Sequence, residues 1–174
     1  PQRCGVPFAL GGVYSDLGLQ DDEITIAEVL KDQGYATAAI GKWHLGIPGG
    51  FNYSTHEGFI SSSEFHPNSQ GFDLFFGAVG NAFPGGRIPL LENETVVDDS
   101  VTVATVTDHY NARAIEFIKD NKENPFFIYF AHTRPHAPWI PNPRFAGISA
   151  GGVYGDMVEE LDASVGEVLA VLEE

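Results

Sequence analysis

Residues Phe126-Phe127-Ile128-Tyr129-Phe130 are apolar at every position. A strand with one wet face alternates apolar and polar side chains, so a run without alternation must be covered on both sides. That is the condition of a strand inside a parallel sheet flanked by helices. A second buried run, Thr37 to Ile40, lies between two turn signals. Helical spacing is expected over Asp22 to Gln33, Val106 to Asn121 and Tyr154 to Leu172. In the first, Ile24, Ile26, Ala27, Val29 and Leu30 carry the apolar pattern, with Asp21 or Asp22 as N-cap and Gly34 as stop. In the second, Ala112, Ala114, Ile115 and Ile118 form the expected face. Pro89 to Val97 predicts a small hairpin turning at Glu92-Asn93-Glu94. Helices alternating with buried strands make an α/β layered sheet. Ile47 to Asn68, rich in Gly, Ser, Asn and Pro, and His132 to Ala150, rich in Pro, read as long irregular loops. Loops of that length in compact domains are usually functional.

The 174 residues fit a single domain, and a 43% hydrophobic, 19% charged composition is that of a folded chain rather than a disordered one. No run approaches the roughly 20 apolar residues of a membrane span. Nine basic against 24 acidic residues give a net charge of −15, which argues against nucleic acid and anionic membrane surfaces as partners. The acids cluster in Asp21-Asp22-Glu23, Glu92 to Asp99, Glu159-Glu160 and Glu173-Glu174. Those are helix starts, a loop and a helix face, so a cationic pocket is compatible with them once screening over about 8 Å is allowed for. A single cysteine, Cys4, excludes an internal disulfide. Asn52-Tyr53-Ser54 and Asn93-Glu94-Thr95 are glycosylation sequons.

Directly after the Thr37 to Ile40 run comes Gly41-Lys42-Trp43-His44-Leu45-Gly46. Strand ends in open α/β sheets face the crevice where ligands bind. On an extended segment Lys42 and His44 would point the same way and converge on one small anion. The flanking glycines leave room for close backbone approach. Trp43 is expected to pack in the core and fix its neighbours.

This hexapeptide resembles the second signature of the sulfatase family. Glu23 to Tyr35 is similar to the helix that precedes it there, and Gln70-Gly71-Phe72-Asp73-Leu74-Phe75-Phe76-Gly77 to the segment that follows. Asn124 to His132 and then Pro135-His136-Ala137-Pro138 resemble the strand and loop that bear another active-site histidine. Tyr154 to Leu172 looks like the long helix beyond that loop. The matches run in family order over nearly the whole chain.

The resemblance implies an alkaline-phosphatase-like α/β/α fold around a mostly parallel sheet, incomplete at both ends. It implies a sulfuric ester hydrolase that works through a formylglycine hydrate and Ca2+. Lys42 would bind the sulfate. His44 would be catalytic, taking the proton as sulfate leaves, a duty that suits an imidazole. His136 would contact the sulfate and protonate the departing oxygen, held between prolines that restrict the backbone. Asn81 would add a polar contact to the sulfate, and His132 and Arg134 would border the pocket. His56, His66 and His109 are expected at the surface or in loops, and no zinc-ligand spacing is present.

Cys4-Gly5-Val6-Pro7-Phe8 is not the family's Cys (or Ser)-x-Pro-Ser-Arg nucleophile motif. The formylglycine is therefore expected upstream of Pro1, and the Ca2+ ligands outside residues 1–174 as well. The chain reads as the middle of a catalytic domain, with the sulfate clamp but neither nucleophile nor metal site, and inactive alone. Absent strands would leave open sheet edges. The implied partners are a small-molecule or glycan sulfate ester and a formylglycine-generating maturation enzyme. The implied location is extracytoplasmic: periplasmic, secreted or lysosomal. Two other readings stay open, a phosphate or phosphonate ester hydrolase of the same superfamily and a catalytically inactive sulfatase-like protein.

Overall fold

The computed structural model describes residues 18–46, 65–83 and 85–174. Helix α1 (Ile26–Asp32) leads into strand β1 (Ala36–Lys42), and a 3-10 turn at Pro67–Gln70 precedes β2 (Leu74–Ala78). A hairpin of β3 (Leu90–Glu92) and β4 (Thr95–Asp98) follows, then α2 (Val106–Asn121), β5 (Phe126–Ala131) and α3 (Gly152–Leu172). One sheet holds all five strands in the order β4-β3-β2-β1-β5. β1 runs parallel to β2 on one side and to β5 on the other, and the hairpin joins antiparallel to β2.

β1 is central, and its period of two sorts its residues to two faces. Ala38 and Ile40 pack with Val103, Val106, Tyr110, Ala114 and Phe117 below α2. Ala39 packs on the opposite face with Ala27 of α1, Trp43, Phe72 and Phe75. Both faces are covered, as the sequence required. β5 is less buried than expected: Tyr129 is 42% exposed, whereas Ala38 and Ile40 are fully buried. Among the described residues β5 has one strand neighbour, so its outer edge stays open.

Three local expectations are corrected. α1 begins at Ile26, not Asp22, because Thr25 and Glu28 close a capping box: Thr25 Oγ1 accepts from Glu28 N and Glu28 Oε2 from Thr25 N. Its face is also narrower than the apolar pattern implied. Ala27 is buried, whereas Ile24, Ile26 and Val29 are exposed. Helix α2 has the expected bounds but a rotated face: Thr107, Tyr110, Asn111, Ala114, Phe117 and Ile118 are buried, while Ala112 is exposed. Of the expected face Ala114 and Ile118 are buried, and fully buried Tyr110 lies on the same side. The hairpin forms where expected, with Asn93 left-handed at φ 51° in its turn.

Thr37 locks β1 to the entry of β2. Its buried hydroxyl donates to Gly71 O, its backbone N–H donates to Asp73 Oδ2, and Asp73 N donates back to Thr37 O. Burial works to raise the Asp73 pKa, but the hydrogen bonds from Lys31 and Thr37 outweigh it and hold the carboxyl below its usual range.

Candidate active site

Lys42 ends β1, and its Nζ donates to Asn81 Oδ1 across 2.6 Å. Asn81 lies just past β2, the parallel neighbour, so two adjacent strand ends deliver the pair to one place. Burial lowers the Lys42 pKa from its ordinary value. The amine lines a small cleft together with Asn81, Thr133, Arg134 and His136. No carboxylate is among the described residues that line it. A half-buried ammonium with no acid beside it attracts an anion, and the amide aligned by Lys42 keeps its NH2 group as a further donor.

His136 enters from the loop after β5 and is exposed. Its Nδ1 lies 2.5 Å from the carbonyl of Ala137, which only accepts, so Nδ1 carries the proton there. The peptide bonds Arg134–Pro135 and Ala137–Pro138 are both cis.

His44 departs from the expected geometry. The chain is not extended there: His44 sits at φ 48° and its N–H donates to Val79 O, so it does not continue the alternation of Lys42. It is half-buried and is not among the described residues lining the cleft. Trp43 does pack in the core, and its indole N–H donates to Phe65 O at 2.7 Å. Gly41 is required where it stands, since at φ 119° an added Cβ would lie 2.0 Å from Ala131 O.

Arg134 lines the cleft as expected, but its guanidinium is committed elsewhere. It is buried and donates to Glu160 and to Val103 O. His132 turns away from the cleft to Ser164. His66 lies in the loop before the 3-10 turn, as one of the two expected placements, but it is buried there at 4% exposed, caps the turn through Nδ1 and contacts Asn93 O. His109 sits half-buried on α2. Asn93, a sequon residue, uses its side-chain oxygen inside the fold to accept from Phe75 N and Asn68. Cys4, Asn52, His56 and most of the expected Ile47 to Asn68 loop lie outside the described residues.

Sequence reasoning passed over a polar stripe on α3. Asp156, Glu160 and Ser164 are spaced four apart, buried on one face, and each grips the 132–150 loop. Asp156 accepts from Gly147 N and Ser149 N, which holds its carboxyl below the usual range. Glu160 accepts from Arg134 and Asn142, and Ser164 meets His132. Thr133, also missed, lines the cleft. Among the described residues no three His, Cys, Asp or Glu side chains converge as a metal site. No helix among them is long and apolar enough to cross a membrane.

The family model for Sulfatase matches residues 4–174. The chain belongs to the sulfatase family. It is 29% identical to human steryl-sulfatase, over all of this chain and 41% of that protein. To N-acetylgalactosamine-6-sulfatase of Canis lupus familiaris it is 32% identical, over 90% of this chain and 31% of that protein. The crystal structure of Ps i-CgsB in complex with k-i-k-neocarrahexaose superposes with a TM-score of 0.79 at 26% identity, covering 99% of this chain and 41% of that one. The layered sheet is thus the alkaline-phosphatase-like fold of sulfatases. The chain spans less than half the length of these relatives.

Proposed function

We propose that the whole protein hydrolyses a sulfate monoester to an alcohol and sulfate, and that residues 1–174 contribute the sulfate clamp of its catalytic domain. The contact of Lys42 with Asn81 in a carboxylate-free cleft that also holds His136 carries this reading. The formylglycine that the family resemblance implies would supply the oxygen that attacks sulfur, from outside the described residues.

Lys42 neutralises charge on the sulfuryl oxygens, and Asn81 holds the ammonium in place and offers its own N–H. As the S–O bond breaks, the electron pair stays on the alcohol oxygen. Protonated His136 gives that oxygen its Nε2 proton, while Nδ1 remains bound to Ala137 O. His44, the neighbour of Trp43, is the proton acceptor of the sulfate-release step in this reading. The substrate class is a small-molecule or glycan sulfate ester, in keeping with the names of the relatives. A formylglycine-generating enzyme matures the protein, Ca2+ is held by residues outside those described, and the protein works outside the cytoplasm.

The test is sulfate release from 4-nitrophenyl sulfate by the full-length protein, beside phosphate release from 4-nitrophenyl phosphate. Sulfate turnover that collapses in Lys42→Ala supports the reading. Turnover of the phosphate ester alone, or of neither ester by a correctly matured protein, overturns it.

A further inference from the structure

We infer that Glu160 is a positioning residue for His136, fixing both limbs of the loop that carries the imidazole. The inference rests on the proposed role of His136 as proton donor. Glu160 Oε1 accepts from Arg134 Nε at 2.9 Å and from its terminal nitrogen at 2.8 Å, two residues before His136. Glu160 Oε2 accepts from Asn142 N at 2.9 Å, six residues beyond it. One carboxylate on a rigid helix therefore clasps the loop on either side of the catalytic position.

The outer ends of the clasp are also tied down. The same Arg134 nitrogen donates to Val103 O, at the entry to α2. Asn142 donates through its side chain to Asp108 Oδ2, on α2 itself. The loop is thus fixed against both helices, with His136 at its exposed crest.

Stability is a poor explanation for this pair. Arg134 and Glu160 side chains are 2% and 1% exposed. A buried ion pair gains little over apolar side chains of the same volume, because desolvating both charges offsets their attraction. What it supplies is direction: the guanidinium fork reaches Glu160 and Val103 O in only one orientation. Exposed His136 has no comparable packing of its own, so its placement depends on these anchors.

The experiment compares two substrates in the full-length protein. A nitrophenolate leaves without needing a proton, whereas an alkyl alcohol does not. Losing the proton donor therefore slows an alkyl sulfate far more than 4-nitrophenyl sulfate, and His136→Ala sets that reference pattern. Glu160→Leu would strand the Arg134 charge and endanger the fold. Arg134→Met combined with Glu160→Gln removes both charges together, and the glutamine oxygen still accepts from Asn142 N.

We expect this double variant to melt cooperatively and to lose roughly 30-fold or more in kcat on the alkyl ester, with about threefold or less on the aryl ester and KM little changed. Arg134→Lys keeps the charge but not the fork, and should show the same selective loss to a smaller degree. Equal losses on both esters, no loss on either, or a double variant that no longer folds would each overturn the inference. If His136→Ala shows no difference between the esters, the role of His136 fails first and the inference falls with it.

Discussion

The Nε2 of His132 and the Oγ of Ser164 lie 2.7 Å apart, and the hydrogens along this path have one direction. Asn111 gives its amide hydrogen to Glu167 Oε2, so its oxygen must accept, and Ser164 Oγ donates to it. The serine oxygen then accepts from His132, which places the His132 proton on Nε2. Nδ1 is left as a buried acceptor without a protein partner. This is a neutral imidazole by construction. Burial, and then the nearby Arg134 charge, push its pKa down to about 4.

A pH dependence of stability follows. Unfolded, His132 takes up its proton near its ordinary value; folded, it does so only near pH 4. Between these values the unfolded state binds more protons, so stability falls as pH drops from about 6.5 toward 4. The contribution is about 3 kcal/mol at most across that window. Urea unfolding at pH 7.5 and 4.5 measures it. His132→Gln, which keeps an amide donor to Ser164 but does not titrate, should show a smaller loss between the two pH values than the unchanged protein.

At the cleft, Lys42→Ala should lower kcat/KM for a sulfate ester by about 100-fold or more, the scale of a lost charge-stabilising donor. Asn81→Ala should cost less, about 10-fold, because it removes one aligning contact and leaves the charge. Steady-state sulfate release measures both. An Asn81→Ala loss as large as that of Lys42→Ala would show that the amide, not the ammonium, dominates.

Trp43→Phe tests the link between the Gly41 to Gly46 segment and Phe65. It keeps most of the ring but removes the indole N–H that donates to Phe65 O in a buried setting. The expected cost is about 1–3 kcal/mol in chemical denaturation. Thr25→Ala should cost about 1 kcal/mol through the loss of the capping box that starts α1.

Much of the framework was legible in the residues. Phe126 to Phe130 announced a parallel strand because its apolar run has no alternation to misread. The hairpin at Asn93 was legible from its turn residues, and the bounds of α2 from helical spacing. The start of α1 was not, although Thr25-Ile26-Ala27-Glu28 carries its own signature: the acids at Asp21 and Asp22 offered a competing cap. The rotation of α2 was hidden because Tyr110, a residue with a polar end, occupies the center of the buried face. The position of Lys42 followed from a strand end and Asn81 was named only through the family resemblance, while the backbone turn at His44 was not legible, since a left-handed φ on a histidine has no sequence marker. The α3 stripe was present as Asp156, Glu160 and Ser164 at helical spacing. It was missed because acids on a helix ordinarily face water, and only the loop folding back over them reveals otherwise.

The row formed by Gly77, Gly41 and Ala131 lies level across the three parallel strands, one position below Lys42. A methyl group on Gly77 would come 1.7 Å from Gly41 O, and one on Gly41 would meet Ala131 O. At Gly77 and Gly41 the sheet under the cleft is therefore bare backbone, and neither position has room for a larger side chain. New substrate preferences in a protein built this way have to be written in the surrounding loops. A saturation library would show an intolerant line across β2 and β1 at this level, with the variable positions gathered around the rim.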